Sequence, residues 1–195
     1  MPKRVAVFGG SQPQPGDPTY QLAIQLGTSL AKAGYVVMNG GYIGTMEAVS
    51  RGAAQAGGQV IGVTCAEIEA WRPVKPNAWI TEEWRCQTLR ERLWALVDNC
   101  DAAIALPGGV GTLAEIVLMW NHLLTAIIPP RPLIVLGAGW QAVFNQLFEA
   151  QGDQIPPPQR KWLLMAPDVD AAIRQLSDLL SSGKVYYFKY VRYQG

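Results

Sequence analysis

The sequence predicts an α/β fold of Rossmann-like type, in which a doubly wound, mostly parallel sheet carries helices on both faces. Short apolar runs alternate with longer segments of helical periodicity, a pattern typical of parallel strands joined by helices. Glycine-rich loops follow three of these runs, where such a fold turns from strand to helix. Because 49% of the 195 residues are hydrophobic, the chain can fill the buried core that this architecture requires.

Three strands and two helices are predicted in the first third of the chain. Arg4 to Phe8 is a short apolar run that ends in two glycines, as a buried parallel strand does. After the loop from Ser11 to Pro18, Thr19 can cap a helix whose apolar residues recur with helical spacing. The predicted elements are a strand at 4–8, a helix at 19–34, a strand at 35–38, a helix at 45–57 and a strand at 59–64.

The segment 65–80 interrupts this alternation, because two prolines and two tryptophans give it no regular period, and we expect it to be irregular. After it, Thr81 is predicted to cap a helix that runs to Asn99, with Glu82 and Glu83 favoured by the dipole of its first turn. The remaining predicted elements are a strand at 101–106, a helix from 112 to 126, a strand at 132–136, a helix at 140–150, a polar loop at 151–160, a short strand at 162–165 and a helix at 169–181.

Composition and charge exclude several classes of function. Sixteen Lys and Arg against fifteen Asp and Glu leave a net charge of +1, so no overall field attracts nucleic acid or an anionic membrane. No apolar run approaches the ~20 residues of a membrane span, and no signal peptide is recognisable, so the predicted location is the cytoplasm. One histidine and three widely spaced cysteines match no metal motif, and neither a metal site nor a disulfide framework is predicted.

Three glycine loops are predicted to meet at the carboxyl edge of the sheet, where such folds bind ligands. Glycines let backbone amides approach a ligand, and two of the loops open into helices whose free N–H groups suit phosphate. The alternative is that the glycines only make tight turns. The loops match neither a Walker A motif nor a dinucleotide fingerprint, so a mononucleotide ligand is favoured over a dinucleotide, and no cofactor is predicted. Residues 1–195 are interpreted as one nucleotide-binding domain. The candidate phosphate-binding residues are Gly9, Gly10, Ser11, Gly40, Gly41, Gly44, Thr45, Gly108, Gly109, Val110, Gly111 and Thr112.

Charged residues beside these loops are candidates for chemistry. Glu115 follows Thr112 by three residues, and a carboxylate next to a phosphate pocket repels the ligand unless it acts on the sugar. Its alternative role is a favourable charge at the start of a helix. Arg90 and Arg92 can grip phosphate or carboxylate, but their spacing does not rank them, and a solvated basic face is the alternative for both.

Two further residues are candidates for the proton that a departing base requires. They are Glu47, which follows the second glycine loop, and His122, the single histidine of the chain. For Glu47 the alternative is a charge at a helix N-terminus, and for His122 it is a structural role on an amphipathic helix.

The segment from Pro107 to Glu115 resembles the P-G-G-x-G-T-x-x-E signature of the Lonely Guy (LOG) family, and the resemblance extends over about residues 4–150. LOG proteins are phosphoribohydrolases with a Rossmann-like fold that cut the N-glycosidic bond of nucleoside 5′-monophosphates, notably cytokinin ribotides and AMP. They usually form dimers and need no redox cofactor. The resemblance implies that Arg92 and Glu115 are catalytic and that phosphate binds to Gly108, Gly109, Gly111 and Thr112. We expect Arg92 to bind phosphate or carboxylate and to keep Glu115 ionised.

The sequence departs from the cytokinin-type pattern at three places, which concern the substrate more than the fold. Ala114 replaces an acid of the signature, Glu47 replaces a glycine after Met46, and Leu93 replaces the lysine that commonly follows the arginine.

Other interpretations remain open. A carrier of nucleotides or of molybdenum cofactor would use the same loops without hydrolysis, but it would not need the carboxylate of Glu115. A DNA-processing role fits poorly with a net charge of +1. A lysine decarboxylase is disfavoured, because its pyridoxal phosphate needs a lysine at the ligand loops and none of the six lysines lies there. A homodimer is predicted from the apolar helices around 93–97 and 116–124, and residues 184–195 are interpreted as an added strand or a subunit contact.

Overall fold

The structure, a computed structural model, describes residues 2–181, so the interpretation of residues 184–195 lies outside the described residues. Seven strands and eight helices follow one another along this range, and α7 follows α6 without an intervening strand. The strands are β1 (Arg4–Phe8), β2 (Val36–Asn39), β3 (Val60–Cys65), β4 (Glu82–Cys86), β5 (Ala102–Ala105), β6 (Leu133–Leu136) and β7 (Leu164–Ala166). The helices are α1 (Pro18–Lys32), α2 (Thr45–Gln55), α3 (Ala66–Trp71), α4 (Leu89–Asp98), α5 (Val110–Leu124), α6 (Ala138–Ala150), α7 (Pro157–Arg160) and α8 (Val169–Ser181).

The sheet has the order β4-β3-β2-β1-β5-β6-β7, and every neighbouring pair is parallel. The chain leaves β1 toward β2 on one side and later returns to β5 on the other. The loops after β1 and β5 therefore flank the point where the direction of winding reverses, which is the ligand position expected in such sheets. The doubly wound α/β prediction is confirmed.

Alternate residues of the strands pack into two separate hydrophobic cores, one on each face of the sheet. On β1, Val5 and Val7 face the core that is shared with α1, α2 and α8, whereas Ala6 and Phe8 face the core that is shared with α4, α5 and α6. This alternation follows from the two-residue repeat of a strand. Both faces of the sheet are thus covered by helices, as predicted, and the carboxyl edge is left to the loops.

The prediction of a helix starting at Thr81 is wrong. Residues 82–86 form β4, the edge strand paired with β3, and Thr81 Oγ1 accepts a hydrogen bond from the Val60 amide at 2.9 Å. The helix begins later, where the Thr88 side chain and Glu91 form a reciprocal capping box. The two acids after Thr81 imitate a helix start, but they lie on a half-exposed edge strand.

Three smaller differences concern helix ends and connections. The segment expected to be irregular contains the short helix α3, and the predicted loop at 151–160 contains α7. Helix α1 begins at Pro18 after Asp17, so Thr19 lies inside the helix and does not cap it. No helix within residues 2–181 is both long enough and apolar enough to cross a membrane.

Candidate active site

The three glycine loops predicted from the sequence meet at the carboxyl edge of the sheet. The amide and the hydroxyl of Thr45 both donate to the carbonyl oxygen of Gly10, at 2.9 and 3.0 Å. Gly10 also lies against the loop after β5, because a Cβ built on Gly10 would stand 3.4 Å from Gly108 Cα. Contacts between backbone atoms therefore hold the loops after β1, β2 and β5 together.

Gly44 has a direct role in this convergence. Its φ of +73° lies in the left-handed region, and a Cβ there would stand 2.5 Å from the Gly10 carbonyl oxygen and 2.6 Å from Ser11 Cα. Only a residue without a side chain fits this position. Helix α2 can therefore start directly against the loop that follows β1.

The start of α5 presents unpaired backbone donors. Gly109 precedes the helix without a side-chain cap, and the amides of Val110, Gly111 and Thr112 have no acceptor among residues 2–181. Three of these four residues are exposed, whereas the Thr112 hydroxyl is buried and has no hydrogen-bond partner in the described range. Free N–H groups at the positive end of a helix dipole form a suitable site for a phosphate.

Glu115 lies one turn further along α5 and is 8% exposed. Within residues 2–181 its carboxyl group forms no ion pair, and no hydrogen bond to it is found. Burial raises the pKa of Glu115 to about 7, although the charge of Arg92 lowers it. The expectation that Arg92 keeps Glu115 ionised is thus correct in direction, but burial outweighs the effect and the carboxyl group populates both forms near neutral pH.

Arg92 lies on the inner side of α4 and is 7% exposed. Its Nε donates to the carbonyl oxygen of Val63 at 2.8 Å and its Nη2 to that of Gly40 at 3.2 Å. Within the described range its guanidinium forms no ion pair, and Nη1 has no acceptor. A buried cation that is held by neutral acceptors is well suited to an anionic ligand.

The structure separates Arg92 from Arg90, which spacing alone does not rank. Arg90 is exposed, and its guanidinium lies over the ring of Trp94 at 5.6 Å. Arg92 precedes the buried Leu96 by one helical turn, so the helical period of α4 contained the signal that distinguishes the two arginines.

Gly40 makes room for Arg92. A Cβ on Gly40 would overlap the Arg92 Nη2 atom and would stand 2.6 Å from Met46 Sδ. This glycine therefore contributes to the site by admitting a side chain, in addition to the backbone role that was predicted for it.

Two side chains at the end of β2 and in the loop after it contact the groups of this site, and the sequence analysis did not single them out. Asn39 Oδ1 accepts from the Gly41 amide at 2.8 Å, and its Nδ2 donates to Ser50 Oγ at 2.8 Å, which fixes the turn. Tyr42 is 1% exposed, and its ring centroid is 5.7 Å from Arg92 Cζ. An asparagine at the end of a strand was a readable turn signal, but nothing local to Tyr42 indicated its arginine partner.

The two candidate proton donors lie in different places. Glu47 is in the first turn of α2, at the ligand edge, near Tyr20: burial raises the pKa of that tyrosine, and Glu47 adds to the rise. His122 is in the last turn of α5, roughly 15 Å along the helix axis from Thr112. Its ring contacts Trp94 edge-to-face at 5.5 Å, and its Nδ1 is 3.7 Å from Asp98. The structure therefore does not bring His122 to the glycine loops.

Metal-ligating side chains are not clustered in the part of the chain that the structure describes. No group of three or more His, Cys, Asp or Glu residues there could hold a metal ion. The polar groups at the carboxyl edge are instead amides, hydroxyls, one buried carboxyl group and one buried guanidinium.

The chain is similar in sequence to proteins of known family. Residues 2–155 match the sequence model of a family described as the SLOG cluster4 family. A cytokinin riboside 5′-monophosphate phosphoribohydrolase from Rhodococcoides fascians is 30% identical over 178 residues, which cover 88% of this chain and 88% of that protein. One from Arabidopsis thaliana is 32% identical over 183 residues, which cover 90% and 82%.

Solved structures extend the comparison to the fold. The molybdenum cofactor binding protein from Rippkaea orientalis superposes with a TM-score of 0.72 over 92% of this chain and 98% of that chain. The two sequences are 23% identical, so the likeness concerns the fold alone.

Proposed function

Because the chain belongs to the SLOG cluster4 family, we propose that it is a nucleoside 5′-monophosphate phosphoribohydrolase, acting as one nucleotide-binding domain. It hydrolyses the N-glycosidic bond of AMP or a cytokinin-type ribotide to free base and ribose 5-phosphate. The observation that carries this proposal is the buried, unpartnered carboxyl group of Glu115, one turn behind the free amides that start α5. Relatives named as phosphoribohydrolases align over most of the chain, which supports the same reaction.

Phosphate is anchored first. The amides of Val110, Gly111 and Thr112 donate to its oxygens, and the positive end of the α5 dipole favours its charge. Because this group is fixed, the attached ribose is brought toward Glu115, and binding energy from the phosphate is used to position the sugar carbon. Arg92, whose Nη1 is free, binds the anionic substrate or faces the Glu115 carboxylate.

Glu115 then acts on the sugar. A water molecule attacks C1′ while the C1′–N bond breaks, and the base leaves with the bonding electron pair and takes up a proton. The ionised carboxylate stabilises the positive charge that develops at C1′, as carboxylates do in sugar hydrolysis. With a pKa of about 7, the same group can accept the proton that the attacking water releases.

The proposal is tested by incubating the protein with a panel of nucleoside 5′-monophosphates, including an N6-isopentenylated one, and measuring the free base by chromatography. Adenosine is the matched compound without phosphate. Glu149→Gln is the control variant, since it removes an exposed carboxylate from the last turn of α6. Base release from AMP or its N6-substituted form is expected, with a loss of roughly 10²–10³ in rate for Glu115→Gln.

Two results would overturn the assignment. One is a Glu115→Gln protein that hydrolyses AMP at the wild-type rate. The other is a wild-type protein that binds monophosphates tightly and releases no base from any of them, which is the behaviour of a carrier.

We also propose that the enzyme is a cytoplasmic homodimer. Trp94 on α4 and Val117 on α5 are large apolar side chains that remain exposed on one side of the sheet, and a second copy would cover them. Phosphorylated nucleotides do not cross membranes unaided, which favours the compartment in which they are made. Light scattering at micromolar concentration is expected to give the mass of a dimer, and a monomer mass would contradict this proposal.

A further inference from the structure

We propose that Tyr42 is a positioning residue for Arg92, and that the segment between β3 and β4 holds this tyrosine in place. The inference rests on the proposed function, because it assigns a role toward the arginine of the same site. It concerns residues 65–80, the segment for which the sequence predicts no regular structure and which contains α3.

The first step is the contact between the two side chains. The ring centroid of Tyr42 lies 5.7 Å from Arg92 Cζ, and both residues are buried. No carboxylate in the described range pairs with Arg92. The negative face of the Tyr42 ring therefore offsets part of the charge of the Arg92 guanidinium. The carbonyl oxygens of Val63 and Gly40 take up Nε and Nη2, so the ring and the two carbonyls together restrain the guanidinium.

The second step is the anchoring of the tyrosine hydroxyl. It accepts a hydrogen bond from the Cys65 amide at 2.6 Å, and it lies 3.1 Å from both the Cys65 carbonyl oxygen and Glu69 Oε1. Burial raises the pKa of Tyr42 to about 12, so the hydroxyl keeps its proton and donates it to one of these two acceptors. The ring cannot move without breaking contacts to the end of β3 and to α3.

The third step connects this anchor to the edge of the sheet. Glu69 on α3 is ion-paired with Arg85 on β4, whose Nη1 is 3.0 Å from Glu69 Oε1. From the irregular part of the segment, Asn77 Nδ2 donates to the carbonyl oxygens of Gly41 and Tyr42, both at 3.0 Å. Thus α3 fixes the side chain of Tyr42, and Asn77 fixes its backbone.

The consequence concerns Arg92 and Glu115. Burial and the charge of Arg92 are the two influences on the pKa of Glu115, and Arg92 is the one that lowers it. If Tyr42 is lost, Arg92 gains freedom, its field at Glu115 weakens, and the pKa of Glu115 rises above its present value of about 7. A purely structural tyrosine would not produce this change.

Three variants and one control test the inference. Tyr42→Leu removes both ring and hydroxyl, Tyr42→Phe keeps the ring over Arg92, and Glu69→Gln weakens the anchor without touching Arg92. Tyr35→Phe is the control, because the Tyr35 hydroxyl contacts Ser177 Oγ at 3.4 Å between α1 and α8, away from the site. The pKa of Glu115 is measured by carbon NMR on protein with labelled glutamate, and the Glu115→Gln spectrum assigns its signal. Circular dichroism confirms folding.

We expect Tyr42→Leu to raise the Glu115 pKa and to lower kcat/KM for AMP by roughly 10²-fold, mainly through kcat. Tyr42→Phe and Glu69→Gln are expected to raise the Glu115 pKa by a smaller amount and to lower kcat/KM by up to about tenfold. Tyr35→Phe is expected to leave both the Glu115 pKa and kcat/KM unchanged. If Tyr42→Leu does not fold, the other two variants decide. An unchanged Glu115 pKa in the folded variants would overturn the inference. Because this pKa is measured without substrate, the result stands even if the wild type proves to hydrolyse no nucleotide.

Discussion

The two halves of the candidate site are built in different ways. The start of α5 offers the backbone amides of Val110, Gly111 and Thr112, and its geometry depends on a few consecutive residues. The Arg92 pocket, meaning the surroundings of its guanidinium, is buried. Its parts come from the loop after β2, from β3, from α3 and from α4, which are far apart in sequence. The comparison teaches that phosphate binding here is a local property of the backbone, whereas the charge that acts on the sugar depends on tertiary packing.

The largest expected effect comes from filling the Arg92 pocket. In Gly40→Ala, the new Cβ overlaps Arg92 Nη2, so this end of the guanidinium must move away from the Gly40 carbonyl oxygen. We expect kcat/KM for AMP to fall by roughly 10²–10³, as for other misplaced catalytic groups. The matched change is Gly109→Ala at the phosphate half, where nothing lies within 4 Å of the added Cβ.

Steady-state kinetics on the two alanine variants measure this difference. Gly109→Ala is expected to stay within a few-fold of the wild type, because an extended backbone at that position accepts any residue. Equal losses in both variants would show that the two halves are not distinct in the way described above.

This difference also explains how much the sequence could predict. The glycine loops, Thr112 and Glu115 were found because a strand, a glycine turn and a helix start follow one another within ten residues. Tyr42 was missed because its partner Arg92 lies fifty residues away, and Thr81 was misinterpreted because two acids after a threonine fit a helix start as well as an edge strand. The position of Tyr42 depends on a tertiary contact, and the conformation after Thr81 depends on the pairing of β4 with β3. Neither can be inferred from the neighbouring residues in the sequence.

A second prediction concerns stability and pH. The pKa of Glu115 in the folded protein, about 7, lies above the ordinary value of 4.5 for a glutamate, so the native state holds a proton that the unfolded chain releases between these values. Stability therefore falls as pH rises from about 4.5 to about 7, with a full effect of about 3 kcal/mol. Glu115→Gln, which cannot ionise, should lack this loss and be more stable than the wild type at pH 8.

Urea unfolding at pH 5 and at pH 8 measures this effect. The variant and the wild type should differ much more at pH 8 than at pH 5. The Glu149→Gln protein should follow the wild type at both values, because it leaves the buried Glu115 unchanged. A wild-type stability that rises across this range, in parallel with the Glu115→Gln variant, would contradict the burial of an uncompensated carboxyl group.

The smallest effect is expected at the phosphate half. The Thr112 hydroxyl is buried without a partner, so Thr112→Val should leave the free energy of unfolding within about 1 kcal/mol of the wild type. If the hydroxyl donates to phosphate in the complex, KM for AMP should rise by about three- to tenfold with little change in kcat. Thr125→Val, at the other end of α5, is the control, since its hydroxyl bonds to Asn121 at 2.8 Å. A KM equal to that of the control would remove Thr112 from the phosphate site.

The most direct test of the account is a crystal structure of the Glu115→Gln variant with AMP bound. We predict that the phosphate lies on the amides of Val110, Gly111 and Thr112, with the ribose C1′ in contact with the side chain at position 115. Arg92 should keep its contacts to Val63 and Gly40 in this complex. A nucleotide whose phosphate binds away from the start of α5, or whose C1′ lies far from residue 115, would contradict the account.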